Sequence, residues 1–217
     1  MVNANALPPA GPDGNATLGL ILDGGLARRL GSVDKGLVLL DGRPMIARAI
    51  ERLRPQCGLL AISANGDPAR FAEFGLPVLI DDPQNFAGPL AGVLAGLEFC
   101  ARQGSRLTFV ASLPADAPFA PENFVAKLHE ARRASGATLA VASSGGRTHH
   151  VAALWPVALA LELRRALTEE GLRKVEDFAA RFPLALAEWP SRPIDPFFNV
   201  NSPEDLALAE ALCGRAR

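Results

Sequence analysis

Residues 18–22 form a short, continuous apolar run, the pattern of a strand buried on both faces. The period then changes. Within 44–54, Met45, Ile46, Ala49, Ile50 and Leu53 share one side of a helix, and Pro44 suits its first turn. Residues 59–63 read as a second strand, closed by the turn Ala64-Asn65-Gly66-Asp67-Pro68. A short helix over 68–74 and a third strand over 78–80 lead to Asp81 and Asp82. A small-residue amphipathic helix follows at 90–102, opened by Gly88-Pro89. The fourth buried strand, 107–111, is followed at once by Pro114-Ala115-Asp116-Ala117-Pro118. Farther on, the spacing predicts helices over 122–134, 156–167 and 172–181. It also predicts strands over 137–142 and 151–155, and an edge strand over 184–187. Ser202 opens a last helix, with Pro203 at its first position and Asp205 at its third.

Strand and helix alternate through the first half. That order predicts an α/β fold of right-handed βαβ units around a mostly parallel sheet. Ligands of such sheets bind beyond the carboxyl ends of the strands. The polar residues that interrupt the apolar pattern fall there: Gly24 after the first strand, Ser63 and Asn65 after the second, Asp82 after the third, and Asp116 after the fourth.

Composition narrows the partners. The formal net charge of −1 argues against a bulk nucleic-acid or membrane partner, and the lack of tyrosine argues against a base-stacking surface. Cys57, Cys100 and Cys213 are far apart, with no metal-ligand spacing, and read as buried thiols of a reducing cytosol. No signal-peptide pattern and no apolar run of membrane-spanning length occurs, so the expected location is cytoplasmic. Residues 1–17, rich in Pro, Gly, Asn and Ala, read as a disordered leader before a single domain over 18–217.

The first strand ends in Leu22-Asp23-Gly24-Gly25, followed by Arg28-Arg29-Leu30-Gly31 and Asp34-Lys35-Gly36. Glycines let a backbone approach a ligand closely. Backbone N–H groups flanked by Arg and Lys make a cradle for polyphosphate. The loop is neither the dinucleotide fingerprint nor a P-loop, which argues against an NAD-dependent oxidoreductase.

Taken with Leu40-Asp41-Gly42-Arg43-Pro44-Met45, this stretch resembles the nucleotidyltransferase pattern L-A-G-G-x-x-x-R-M-G-x-x-K-x-L-x-x-x-G-x-P-L. Asp34-Lys35-Gly36 and Gly88-Pro89-Leu90-Ala91-Gly92 are similar to the molybdenum cofactor guanylyltransferase branch, the bacterial MobA family. Pro114-Ala115-Asp116-Ala117-Pro118-Phe119 resembles that family's P-x-D-x-P-F segment, and Phe198-Asn199-Val200-Asn201-Ser202-Pro203-Glu204-Asp205-Leu206 its closing segment. The resemblance runs from about residue 18 to 212. It implies a three-layer α/β/α Rossmann-like nucleotidyltransferase fold with a mostly parallel mixed sheet.

The implied reaction is transfer of GMP from GTP to the phosphate of molybdopterin, with release of pyrophosphate. Bringing several negative charges together demands positioning and neutralisation. The resemblance implies Asp116 as a Mg²⁺ ligand, Lys35 on the GTP phosphates, and Arg29 on the departing pyrophosphate. Leu22, Asp23, Gly24, Gly25, Ser63, Asn65 and Asp82 would complete the nucleotide site. Arg147, Asn199 and Asn201 would face the pterin. Two further readings remain open: a cytidylyltransferase or sugar-1-phosphate nucleotidyltransferase, and a non-catalytic nucleotide-binding protein. Other molybdenum cofactor biosynthesis proteins or molybdoenzyme chaperones are the expected transient partners.

Two positions depart from the pattern. Ser63 is shorter than the asparagine common there. Asp23 stands where the pattern has a small residue, usually Ala. A desolvated carboxylate beside a triphosphate repels it by about a few kcal/mol. Its side chain therefore either turns away, toward Arg28 or the base, or GTP binding is weakened. Residues 145–150 are expected to be a loop before a strand, with His149 and His150 on opposite faces.

Overall fold

The computed structural model describes residues 12–24, 26–27, 33–80 and 88–215. Gly25, Arg28, Arg29, Gly31 and Asp82, named above, lie outside the described residues. The elements run as follows: α1 (Pro12–Asn15), β1 (Thr17–Leu22), β2 (Leu26–Ala27), β3 (Val33–Asp34), β4 (Leu39–Leu40), β5 (Arg43–Pro44), α2 (Met45–Leu53), β6 (Leu59–Ser63), β7 (Val78–Leu79), α3 (Pro89–Arg102), β8 (Phe109–Pro114), α4 (Phe124–Ser135), β9 (Leu139–Ser144), β10 (Arg147–Pro156), α5 (Ala160–Thr168), α6 (Val175–Ala179), β11 (Leu184–Trp189) and α7 (Pro203–Arg215).

Seven strands form one sheet in the order β11-β9-β10-β8-β1-β6-β7. β10 is antiparallel to both of its neighbours, and the other pairs are parallel. The sheet is mixed and mostly parallel, as expected. β1 is buried along its whole length. Its Ile21 joins the core beneath α2 and α4, and its Leu18, Leu20 and Leu22 join the core beneath α3, α5 and α6. Alternate side chains of one strand thus feed both layers, which is why this run is apolar throughout. α3 comes close to the strands it covers. A Cβ on Gly92 would lie 2.5 Å from Ser63 Oγ and 2.7 Å from Leu22 Cδ2, so only glycine fits where the helix crosses the ends of β1 and β6.

Several expected boundaries move. Residues 12–17, assigned above to the leader, contain a helical turn and the first residue of β1. The Thr17 hydroxyl donates to the Asp13 carbonyl at 2.7 Å. Gly145 and Gly146 both adopt positive φ, which makes a two-residue hairpin turn. β10 therefore starts at Arg147, and residues 147–150 are strand rather than loop. The helix expected over 172–181 shrinks to α6, and 68–74 is a 3₁₀ helix capped by the Asp67 side chain on the Ala69 N–H. The two-residue ladders β2–β3 and β4–β5 carry no periodicity and were not expected.

Leu40, Met45, Val200, Ala209 and Cys213 form a third, small cluster that seats α7 against β4. The start of α7 is fixed by the Asp205 carboxylate, which accepts from the backbone N–H groups of Asn201 and Ser202. Ser202 Oγ accepts in return from the Asp205 N–H. The segment 199–201 is thereby held in place from both sides.

Candidate active site

The ends of β1, β6 and β8 are tied to one another. The Asp23 N–H donates to the Ser63 carbonyl at 2.8 Å, and the Ala115 N–H to the Leu22 carbonyl at 3.0 Å. The Val200 N–H donates to the Asp116 carbonyl at 3.0 Å and brings in the last segment. A cleft of about 860 Å³ opens above these ends. Its lining includes Leu22, Asp23, Gly24, Lys35, Ser63 and Asp116. Arg147, His149, Arg173, Lys174, Asn199 and Asn201 also line it.

Asp116 is the hub. Its Oδ1 accepts from Asn199 Nδ2 at 2.8 Å, and its Oδ2 accepts from Lys35 Nζ at 3.2 Å. Lys35 also donates to Asn201 Oδ1. Three motifs more than 80 residues apart in the chain therefore meet in a single polar cluster. Lys35 starts a short 3₁₀ turn, Lys35–Leu37, that hangs from β3. Asp34, just before it, pairs with Arg70 at 2.8 Å, which links the segment carrying Lys35 to the helix after β6.

The Asp23 carboxylate turns onto the 3₁₀ turn. Its Oδ1 accepts from the Gly36 N–H at 3.1 Å, and the residue is only 4% exposed. A Cβ on Gly36 would lie 2.8 Å from Asp23 Oδ2, so glycine is required for this contact. Oδ2 itself has no partner among the described residues. Burial first, then the charges of Asp34 and Asp116, push the Asp23 pKa up to about 6, against the Gly36 hydrogen bond and Arg70. Since the unfolded value is lower, the fold binds this proton more tightly than the open chain does. Stability is then highest below the unfolded pKa and falls as the pH rises toward 6. The penalty above that is about 2–3 kcal/mol. Asp23→Asn should exceed the wild type in urea-unfolding stability by about that amount at pH 7.5, and the gap should close as the pH falls from 6 to 4. A gap that stays constant with pH would remove the carboxylate as its cause.

Asn65 is exposed in the turn after β6, where its carbonyl accepts from Arg70, and it lies apart from the described lining of the cleft. Ser63 does line the cleft. Residues not foreseen from the sequence include Arg70, Arg173, Lys174, Ser144 and Asp195. Of these, only the basic pair Arg173-Lys174 after Gly171 carried a local signal, as a cationic loop between short helices. Cys57, Cys100 and Cys213 are buried and free, and burial pushes the Cys57 and Cys100 thiols up, the latter to about 12.

A glycine-bearing segment and a lysine beyond β1, facing an aspartate at the end of the neighbouring β8, define a nucleotide-handling α/β site. A family model described as the MobA-like NTP transferase domain matches residues 19–182. A molybdenum cofactor guanylyltransferase of Rhodopseudomonas palustris strain HaA2 is 53% identical over 208 residues, covering 96% of this chain and 94% of that one. A molybdenum cofactor guanylyltransferase of Bradyrhizobium sp. strain ORS 278 is 52% identical, covering 91% and 93%. The molybdopterin-guanine dinucleotide biosynthesis protein A of Archaeoglobus fulgidus shares the fold, with a TM-score of 0.71 at 22% identity over 91% of this chain and 99% of that one. The chain belongs to the MobA-like NTP transferase family, among the molybdenum cofactor guanylyltransferases.

Proposed function

We propose that this protein transfers GMP from GTP to the terminal phosphate of molybdopterin. An oxygen of that phosphate attacks the α-phosphorus of GTP, the bond from the α-phosphorus to the bridging oxygen breaks, and pyrophosphate leaves. The observation that carries the reading is the convergence of Lys35, Asn199 and Asn201 on Asp116 at the carboxyl end of the central strands. The family membership supplies the identity of the two substrates.

The donor set fits Mg²⁺. Asp116 offers one carboxylate at the cleft, and no group of three His, Cys, Asp or Glu gathers among the described residues. Mg²⁺ is commonly held by one or two carboxylates, with phosphate oxygens and water completing its shell. When bound, the ion would neutralise charge on the phosphates of GTP. Asp116 would hold it, and Asn199 fixes the carboxylate's orientation through Oδ1. Lys35 supplies a second positive charge 3.2 Å from Oδ2 and would share with the ion the neutralisation of the phosphates. Leu22, Asp23 and Gly24 of the cleft lining would meet the nucleotide. The family pattern extends that role to Gly25, to Arg29 for the departing pyrophosphate and to Asp82 for the guanine. Arg147, which lines the same cleft, would meet the acceptor phosphate. GTP use sets the work in the cytoplasm, and hand-over of the product to molybdoenzyme chaperones belongs to the same reading. Among the described residues, no helix is long and apolar enough to cross a membrane.

The test is the purified protein with Mg²⁺, GTP and molybdopterin. One pyrophosphate should appear per guanine dinucleotide formed, and CTP should support the reaction at less than about a tenth of the rate. A preference for CTP would move the reading to a cytidylyltransferase. Pyrophosphate release from neither nucleotide would favour the non-catalytic binder.

A further inference from the structure

A chain of polar contacts that runs from Asp195 to His149 in the lining of the cleft takes no part in the transfer chemistry above. Asp195 Oδ1 accepts from the Phe197 N–H at 2.9 Å and from Ser144 Oγ at 2.8 Å. Ser144 is 1% exposed, and its Oγ also lies 2.8 Å from His149 Nε2. A hydroxyl has one proton to give. Here the carboxylate takes it, so the hydroxyl can only accept from the ring, and Nε2 carries the hydrogen. The order Asp–Ser–His also separates this group from a nucleophilic triad, in which the histidine would stand between the other two.

With Nε2 protonated, the neutral ring presents Nδ1 as a lone-pair acceptor. Burial holds the His149 pKa below its ordinary value. Asp195 opposes that shift, and Arg147 and His150 assist it. Nδ1 has no hydrogen bond among the described residues and is not one of their sealed, partnerless atoms, which leaves it open on a ring that lines the cleft. The ring is backed by Phe197, centroid to centroid 4.9 Å at 35°. Phe197 is in turn packed by Trp189 at 5.2 Å and Phe124 at 6.0 Å. The β9–β10 register breaks just after His149, and such irregularities re-aim side chains.

We infer that His149 determines acceptor specificity: its Nδ1 accepts a hydrogen bond from a ring N–H or amino group of a heteroaromatic acceptor, and Ser144 and Asp195 set the tautomer that allows this. The identification of that acceptor as a pterin, whose lactam N–H and amino group are such donors, rests on the proposed function. A buried acceptor left unpaired by a ring without donors penalises the wrong substrate.

Imidazole ¹⁵N spectra of the full chain at pH 7.5 should show Nδ1 as the unprotonated nitrogen of His149. Ser144→Ala should mix the two tautomers. In steady-state transfer, His149→Phe should raise the KM for molybdopterin by about 10-fold or more and leave the KM for GTP within about twofold. His149→Asn, with an oxygen near the Nδ1 position, should recover part of the loss. An unchanged molybdopterin KM, both KM values rising together, or hydrogen on Nδ1 overturns the inference. If the wild type forms no product, the functional reading fails. The inference is then decided by whether 6-hydroxymethylpterin shifts the Nδ1 resonance, with no shift overturning it.

Discussion

Asp116→Asn is expected to cut the rate of pyrophosphate release by about 10³-fold, close to 4 kcal/mol of transition-state stabilisation. The change removes one charge and almost no volume. An asparagine oxygen can still accept from Asn199, so the Oδ1 contact survives. The ion pair with Lys35 is lost, but it is part-exposed and contributes about 1 kcal/mol or less. The melting temperature should therefore shift by only about 2–4 °C. A large activity loss with a small stability loss separates a metal-holding role from a structural one. Excess Mg²⁺ should recover part of the rate if the variant is limited by metal affinity. Activity within about tenfold of the wild type would remove Asp116 from the chemistry.

Lys35→Ala should lower kcat/KM for GTP by about 10²–10³-fold, the usual loss when one preorganised charge is taken from a phosphoryl-transfer site. Arginine should not restore it. Lys35 is threaded between the Asp116 carboxylate and the Asn201 amide oxygen, a place for a compact point charge rather than a planar fork. The Lys35 side chain is 27% exposed, so its pairing with Asp116 alone contributes little to the fold. A loss of less than about tenfold would make Lys35 only the counter-ion of Asp116.

Where the chemistry is local, the sequence was readable. The apolar runs of β1 and β6, the turn after β6 and the Ser202-Pro203 start of α7 follow from period and capping alone. Asp116 and the Asn199–Asn201 segment could be picked out as singular residues, and the fold brings them together with Lys35. What stayed hidden is what depends on partners across the chain. Arg70 finds Asp34, and Asp195 finds Ser144 fifty-one positions away, with no signal in the residues on either side. Asp23 shows the same limit. Its presence was legible, but its direction was not, because the contact that orients it is the backbone of Gly36.

The seating of segment 199–201 on Asp116 has a consequence for the newly made chain. The segment that carries Lys35 is synthesised within the first 36 residues and Asp116 about eighty residues later, yet Asn199 and Asn201 come only near the end. Their place depends on α7 folding onto β4. A nascent chain still on the ribosome can assemble the central strands but not the full polar cluster. The polar cluster is thus completed in a single late event, after residues beyond Asn201 have cleared the exit tunnel, and fragments ending before that point carry Lys35 and Asp116 without the two asparagines that hold them.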